Sequence, residues 1–292
     1  MSSTKSKSKK IICIVLAIIA VLTVGIIVAV KSPNKDKTSV SSNDESITQV
    51  DVISSEISND ETTNISTDSE SSPVGGEVMT ELVVADGVAP TEKEDIIALY
   101  NLAANKVKTE AKKVTRNFKN TRYDTSKSVL PSALESMANP MIEKYVKDDV
   151  EPVDYITKEE IIENYPAPKQ TYSSKLTVAD VDEATCVDNG KEYVVTLKLA
   201  SCKNPVAGVK VGAACHIMDV SAISSSDSSM IKKFDAVYEG CVIKCKIDKA
   251  TNRVTWANFY TPFTIDAVVK ILFSEVVTIA VMSYERDYTI TY

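Results

Sequence analysis

Residues Ile11 to Val30 read IICIVLAIIAVLTVGIIVAV, twenty consecutive positions without a charge. No other stretch constrains the chain as strongly. As a helix it would reach about 30 Å, the thickness of a bilayer's hydrocarbon core. Lys5, Lys7, Lys9 and Lys10 precede it, and that bias predicts a cytoplasmic N-terminus with the C-terminal part exported. A cleaved signal peptide would carry a hydrophobic core of roughly 7–15 residues and a small-residue cleavage site. This run is longer, and Val28-Ala29-Val30-Lys31 is a poor site. The expectation is an uncleaved signal-anchor, hence a single-pass membrane protein whose contact with the lipid bilayer is Ile11–Val30 and whose C-terminal domain is extracytoplasmic.

The charge divides the rest of the chain. Residues 1–31 hold five Lys and no acid, and residues 38–90 hold eleven acids and no Lys or Arg. The net charge of -7 therefore comes mainly from the middle block. That block is rich in Ser, Thr and Asn and cannot bury enough apolar surface to offset its ordering entropy. The expected organisation is a basic N-terminus at 1–10, a span at 11–30, a disordered acidic linker at 31–90 and a folded domain at 91–292.

Within 91–292, Thr91-x-x-Glu94 reads as a capping box. Ile96, Ile97, Tyr100, Ala103, Ala104, Val107, Ala111, Val114 and Phe118 then follow at helical spacing, which predicts one amphipathic helix over 92–119. Pro131 opens a shorter helix ending near Lys147, and Thr157-Lys158-Glu159-Glu160 starts another that stops before Pro166. From about residue 170 the period becomes two. Asn189-Gly190 predicts a hairpin between strands at 183–188 and 191–200. Over 235–248, Val237, Cys241, Ile243, Cys245 and Ile247 share one face, with Tyr238 and Lys244 on the other. Strands follow at 253–261, 264–273 and 276–292, the last with Tyr284, Tyr288, Ile290 and Tyr292 on one face. The predicted fold class is α+β: one long amphipathic helix plus short helices packed on a curved antiparallel sheet, preceded by a single transmembrane helix and a disordered linker.

The chemistry is sparse. One His exists, His216, so no multi-histidine metal site can form. It follows Cys215, but neighbours in an extended segment point to opposite faces and do not make a dyad. Ser229-Met230-Ile231-Lys232 matches Ser-x-x-Lys without a Lys-Thr-Gly, and chance accounts for it. The acids Asp148, Asp149, Glu151 and Asp154 lack the spacing of a Ca²⁺ loop. No catalytic residue, metal ligand or cofactor is assigned. Cys186, Cys202, Cys215, Cys241 and Cys245 are candidate disulfide cysteines, Cys202 with Cys215 or Cys186 with Cys241 among the options. Cys241 and Cys245, about 13 Å apart on one strand face, cannot pair. Lys106, Lys108, Lys112, Lys113, Arg116 and Lys119 form a basic stripe on the predicted helix, a candidate contact for an anionic lipid or wall-polymer surface, or simply a solvated face. Nucleic acid is not an expected partner.

A long helix followed by many antiparallel strands, with the hairpin Ile247-Asp248-Lys249-Ala250-Thr251-Asn252-Arg253-Val254, resembles the lipoprotein-carrier (LolA-like) domains of the cell envelope. The resemblance implies a curved sheet wrapping helices around an apolar groove, and lipid binding without catalysis. No functional residue carries over. The expected function is a non-enzymatic, membrane-anchored extracytoplasmic binding domain for a lipid or other apolar ligand, with Val237, Ile243 and Trp256 as candidate groove liners. The alternative is a structural or adhesive interaction module contacting an envelope protein. A serine- or carboxylate-dependent hydrolase ranks behind both.

Overall fold

The computed structural model describes residues 88–131, 146–218, 231–271 and 274–292, with a few positions between 132 and 145. Ile11–Val30, the acidic linker up to residue 87 and most of the helix predicted after Pro131 lie outside the described residues. No helix among the described residues is long and apolar enough to cross a membrane. The single-pass membrane and extracytoplasmic expectations are corrected on that finding: the described fold contains no span.

The fold class is corrected too. The described chain is dominated by one ten-stranded antiparallel sheet, and two α-helices accompany it. Helix α1 spans Lys93–Glu110. The strands are β1 (Lys113–Tyr123), β2 (Asp148–Asp149), β3 (Val153–Tyr155), β4 (Val181–Asn189), β5 (Glu192–Leu199), β6 (Cys202–Lys203), β7 (Ile231–Tyr238), β8 (Val242–Asp248), β9 (Arg253–Ile271) and β10 (Ser274–Thr291). Helix α2, Lys158–Asn164, lies between β3 and β4. The main path of the sheet is β2-β1-β10-β9-β8-β5-β4; β3 pairs with β1, and β7 pairs with β9 and β6.

Helix α1 ends nine residues before its predicted end at residue 119. Ala111 turns to ψ 135°, Lys112 donates its backbone N–H to the Thr291 carbonyl, and Lys113–Tyr123 pairs with β10. Val114, Thr115, Phe118 and Thr121 suit a strand, and the pairing outweighs local helical spacing. The periodicity misled because β1 slips register between Arg116 and Phe118. The extra residue breaks the alternation, and 107, 111, 114 and 118 then imitate a helical stripe.

The start of α1 differs as well. Its N-cap is Glu92, with no side-chain cap, so the Thr91 box is not made. The second box forms as read: the Glu160 N–H donates to Thr157 Oγ1 at 3.2 Å, and the Thr157 N–H to the Glu160 carboxylate at 3.1 Å.

Strands β7 and β8 run in one direction along β9 and act as a single long strand with a break. β7 pairs with the second half of β9, up to Tyr238 opposite Phe263, and β8 with the first half, from Val242 opposite Tyr260. Pro262 falls in the gap, where no neighbour asks for the N–H it lacks. Gly240, at φ +74°, makes the matching break on the other strand, a conformation that a side chain would strain. The break changes the phase. Cys241, Ile243, Cys245 and Ile247 face the core as predicted, whereas Tyr238 is buried and Val237 is only half-buried. The 189–190 hairpin is present, with Gly190 at φ +74° in the turn.

The core lies between α1 and one face of the sheet. Ile96, Leu99, Tyr100, Ala103 and Val107 of α1 meet Tyr193, Leu197, Ile243 and Phe259 in one buried cluster. Each large side chain buried there contributes about 1.5–3 kcal/mol.

Candidate functional site

The basic residues read as one helical stripe are divided among three settings. Lys106 Nζ donates to the Thr251 carbonyl at 2.9 Å. Lys108 is buried, and its ammonium donates to the carbonyls of Ala167, Gln170 (3.1 Å) and Tyr172 (3.0 Å). Lys112, Lys113, Arg116 and Lys119 belong to the start of β1 and the turn before it. There the acids of β2 and β3 meet them or their neighbours: Lys113–Asp154 at 3.3 Å, Arg116–Asp149 at 2.6 Å and Arg122–Asp148 at 3.0 Å. The hydrogen bond from Thr115, with Lys113 beside it, holds the Asp154 carboxyl below the usual carboxylate range. The acidic cluster and the basic stretch, separate in sequence, are therefore largely each other's counter-charge.

The polar side of α1 holds the chain as well as facing solvent. Asn101, Asn105 and Lys108, at helical spacing, form a ladder against residues 167–176. Asn101 Nδ2 donates to the Leu176 carbonyl at 2.8 Å, and Asn105 Oδ1 accepts from the Ser173 and Ser174 amides at 2.8 and 3.0 Å. Burial lowers the pKa of Lys108 to about 7.

All five cysteines of the described domain carry free thiols. Burial pushes each upward, Cys186 to about 11 and Cys241 to about 12, which keeps them protonated and unreactive. Ser229 lies outside the described residues, and Lys232 sits exposed on β7. His216 Nε2 lies 3.2 Å from the Tyr288 hydroxyl rather than beside a thiol. No metal-holding group of three or more His, Cys, Asp or Glu side chains occurs among the described residues. The three groove liners do not meet. Ile243 is a core residue on the α1 face, whereas Val237 and Trp256, through their register with Thr264 and Lys246, belong to the opposite face.

The residue that sequence reading missed is Arg286. It shares the even-numbered face of β10 with Tyr284, Tyr288 and Ile290 and is 7% exposed. Its guanidinium carbon lies 5.6 Å from the centre of the Tyr284 ring. Its Nη1 is buried without a hydrogen-bond partner, as is Nε of Arg116. Register places Arg116 opposite Tyr288 and Lys119 opposite Arg286. Burial lowers the Arg286 pKa, and the Arg116 charge adds to that, yet a guanidinium stays charged in any protein. The signal was available: the period-two face traced through Tyr284 and Tyr288 runs through residue 286.

No family model, curated protein or solved structure matches the chain.

Proposed function

We propose that this chain is a non-enzymatic binding protein, one that holds a ligand or partner without transforming it. The observation that carries this reading is the fate of the reactive side chains. Burial keeps the five thiols protonated, His216 is engaged with Tyr288, Lys108 is held by three carbonyls, and Asp148, Asp149 and Asp154 neutralise β1. A catalytic nucleophile needs a base within hydrogen-bond reach and a perturbation toward reactivity; the thiols are perturbed in the contrary sense, and Lys108, although lowered to about 7, is committed to three backbone carbonyls. The apolar-ligand version loses support because Val237, Ile243 and Trp256 occupy two faces of the sheet.

Native mass spectrometry of the full chain tests the reading, together with assays on a p-nitrophenyl ester and a fluorogenic peptide. A noncovalent mass excess released on denaturation, with no turnover, is the expected outcome. Turnover abolished by replacing one polar residue would overturn it.

A further inference from the structure

The inner face of β10 carries a charge with no counter-charge of its own among the described residues. Arg286 is 7% exposed, its Nη1 lacks a partner, and it takes part in no salt bridge among the described residues. Arg116 lies on the same face one pairing step away, its side chain 13% exposed, with Nη2 on Asp149 and Nε unpaired. Of the two guanidiniums only Arg116 meets a carboxylate, so Arg116, Arg286 and Asp149 together carry a net charge of +1. A buried, unpaired ionic group costs several kcal/mol, and an orphaned buried donor calls for a missing partner. Paired guanidinium N–H groups fit the two oxygens of a carboxylate or phosphate. Asp149, 41% exposed on its side chain, is the most exposed of the three groups.

We propose that Arg116 and Arg286 form an oxyanion-binding site whose ligand presents one carboxylate or phosphate group to their unpaired N–H donors. Its charge balances the excess guanidinium, and Asp149 is its competitor for Arg116. The proposal deepens the binding-protein reading and rests on it, but the two fail by different results: substrate turnover would overturn that reading and leave this site untouched.

Thermal unfolding of the full chain tests the site, with sodium acetate and inorganic phosphate as probes and sodium chloride at equal ionic strength as control. At one hundred times Kd the midpoint rises by roughly 5–10 °C. A response to acetate identifies carboxylate as sufficient, and a response to phosphate alone identifies a phosphate ligand. Arg286→Leu removes the unpaired charge, so the ligand-free protein is at least as stable as the parent and the anion response disappears. Asp149→Asn removes the competitor, so the ligand-free midpoint falls and the anion response grows. The site is overturned if neither probe exceeds chloride, or if Arg286→Leu responds like the parent. Should Arg286→Leu fail to fold, an unchanged response in Asp149→Asn overturns it equally.

Discussion

Arg286 and Asp287 are neighbours in sequence, opposite in charge and almost equally buried, at 7% and 8% exposure. Strand geometry sends them to opposite faces, and the two faces treat charge differently. On the outer face, Asp287 accepts from Asn117 Nδ2 at 2.7 Å, Trp256 Nε1 at 3.1 Å and Asn258 Nδ2 at 3.2 Å. Three strands, β1, β9 and β10, each contribute to that network. On the inner face, Arg286 lies among Tyr284, Tyr288 and core side chains with Nη1 unpaired. A buried charge that is fully bonded belongs to the architecture; one that is not is available for a ligand.

The largest effect that tests this contrast is on the outer face. Asp287→Ala leaves Trp256 Nε1 without its acceptor, leaves Asn117 and Asn258 with only Thr289 and Glu285, and costs about 3 kcal/mol. A lowered urea midpoint measures it, and a shift in the emission of Trp256, the sole tryptophan, reports the altered site. A stability loss below a few tenths of a kcal/mol would erase the distinction between the faces.

Lys108 sharpens the comparison because it is a buried cation with three acceptors where Arg286 has an orphaned donor. Lys108→Met leaves the Gln170 and Tyr172 carbonyls without their donor, Ala167 keeping the Gln170 N–H, and costs about 2 kcal/mol, opposite in sign to the expectation for Arg286→Leu. The parent also carries a pH signature. The folded pKa of Lys108 is about 7, below the 10.5 of an exposed lysine, so between these values the unfolded chain binds more protons. The Lys108 contribution to stability therefore rises with pH from 7 toward 10, whereas the buried thiols, raised by burial, oppose it once the unfolded thiols ionise above about pH 8.5. Urea midpoints at pH 7 and pH 8, below the thiol range, check the slope in the parent, and Lys108→Met lacks the Lys108 part of it.

The smallest effect separates a motif that forms from one that does not. Thr157→Ala removes the cap of α2 and costs about 1 kcal/mol, whereas Thr91→Ala, at a box the structure does not make, changes stability by under about 0.3 kcal/mol. Thermal midpoints of the two variants decide it.

Local chemistry made several elements legible. The hairpin at Asn189-Gly190, the Thr157 box, the alternating face of β8 and the common face of Tyr284, Tyr288 and Ile290 were all readable because turn, cap and pleat act within a few residues. The end of α1 was not, because a bulge in β1 reproduced helical spacing. Nor was the polar stripe of Asn101, Asn105 and Lys108, whose partners lie 59 to 75 residues away.

By itself, the sequence determined which residues alternate, where the chain turns tightly and which helix start is capped, since each depends on neighbours a few positions apart. Only the tertiary structure decided that β7 and β8 share β9 across Pro262, that the basic and acidic runs neutralise one another, and that Arg286 is buried with an unpaired donor. Those outcomes depend on which distant strands pair and on which side of the pleat a charge falls. A one-residue difference in position reverses that side, and composition carries no record of it.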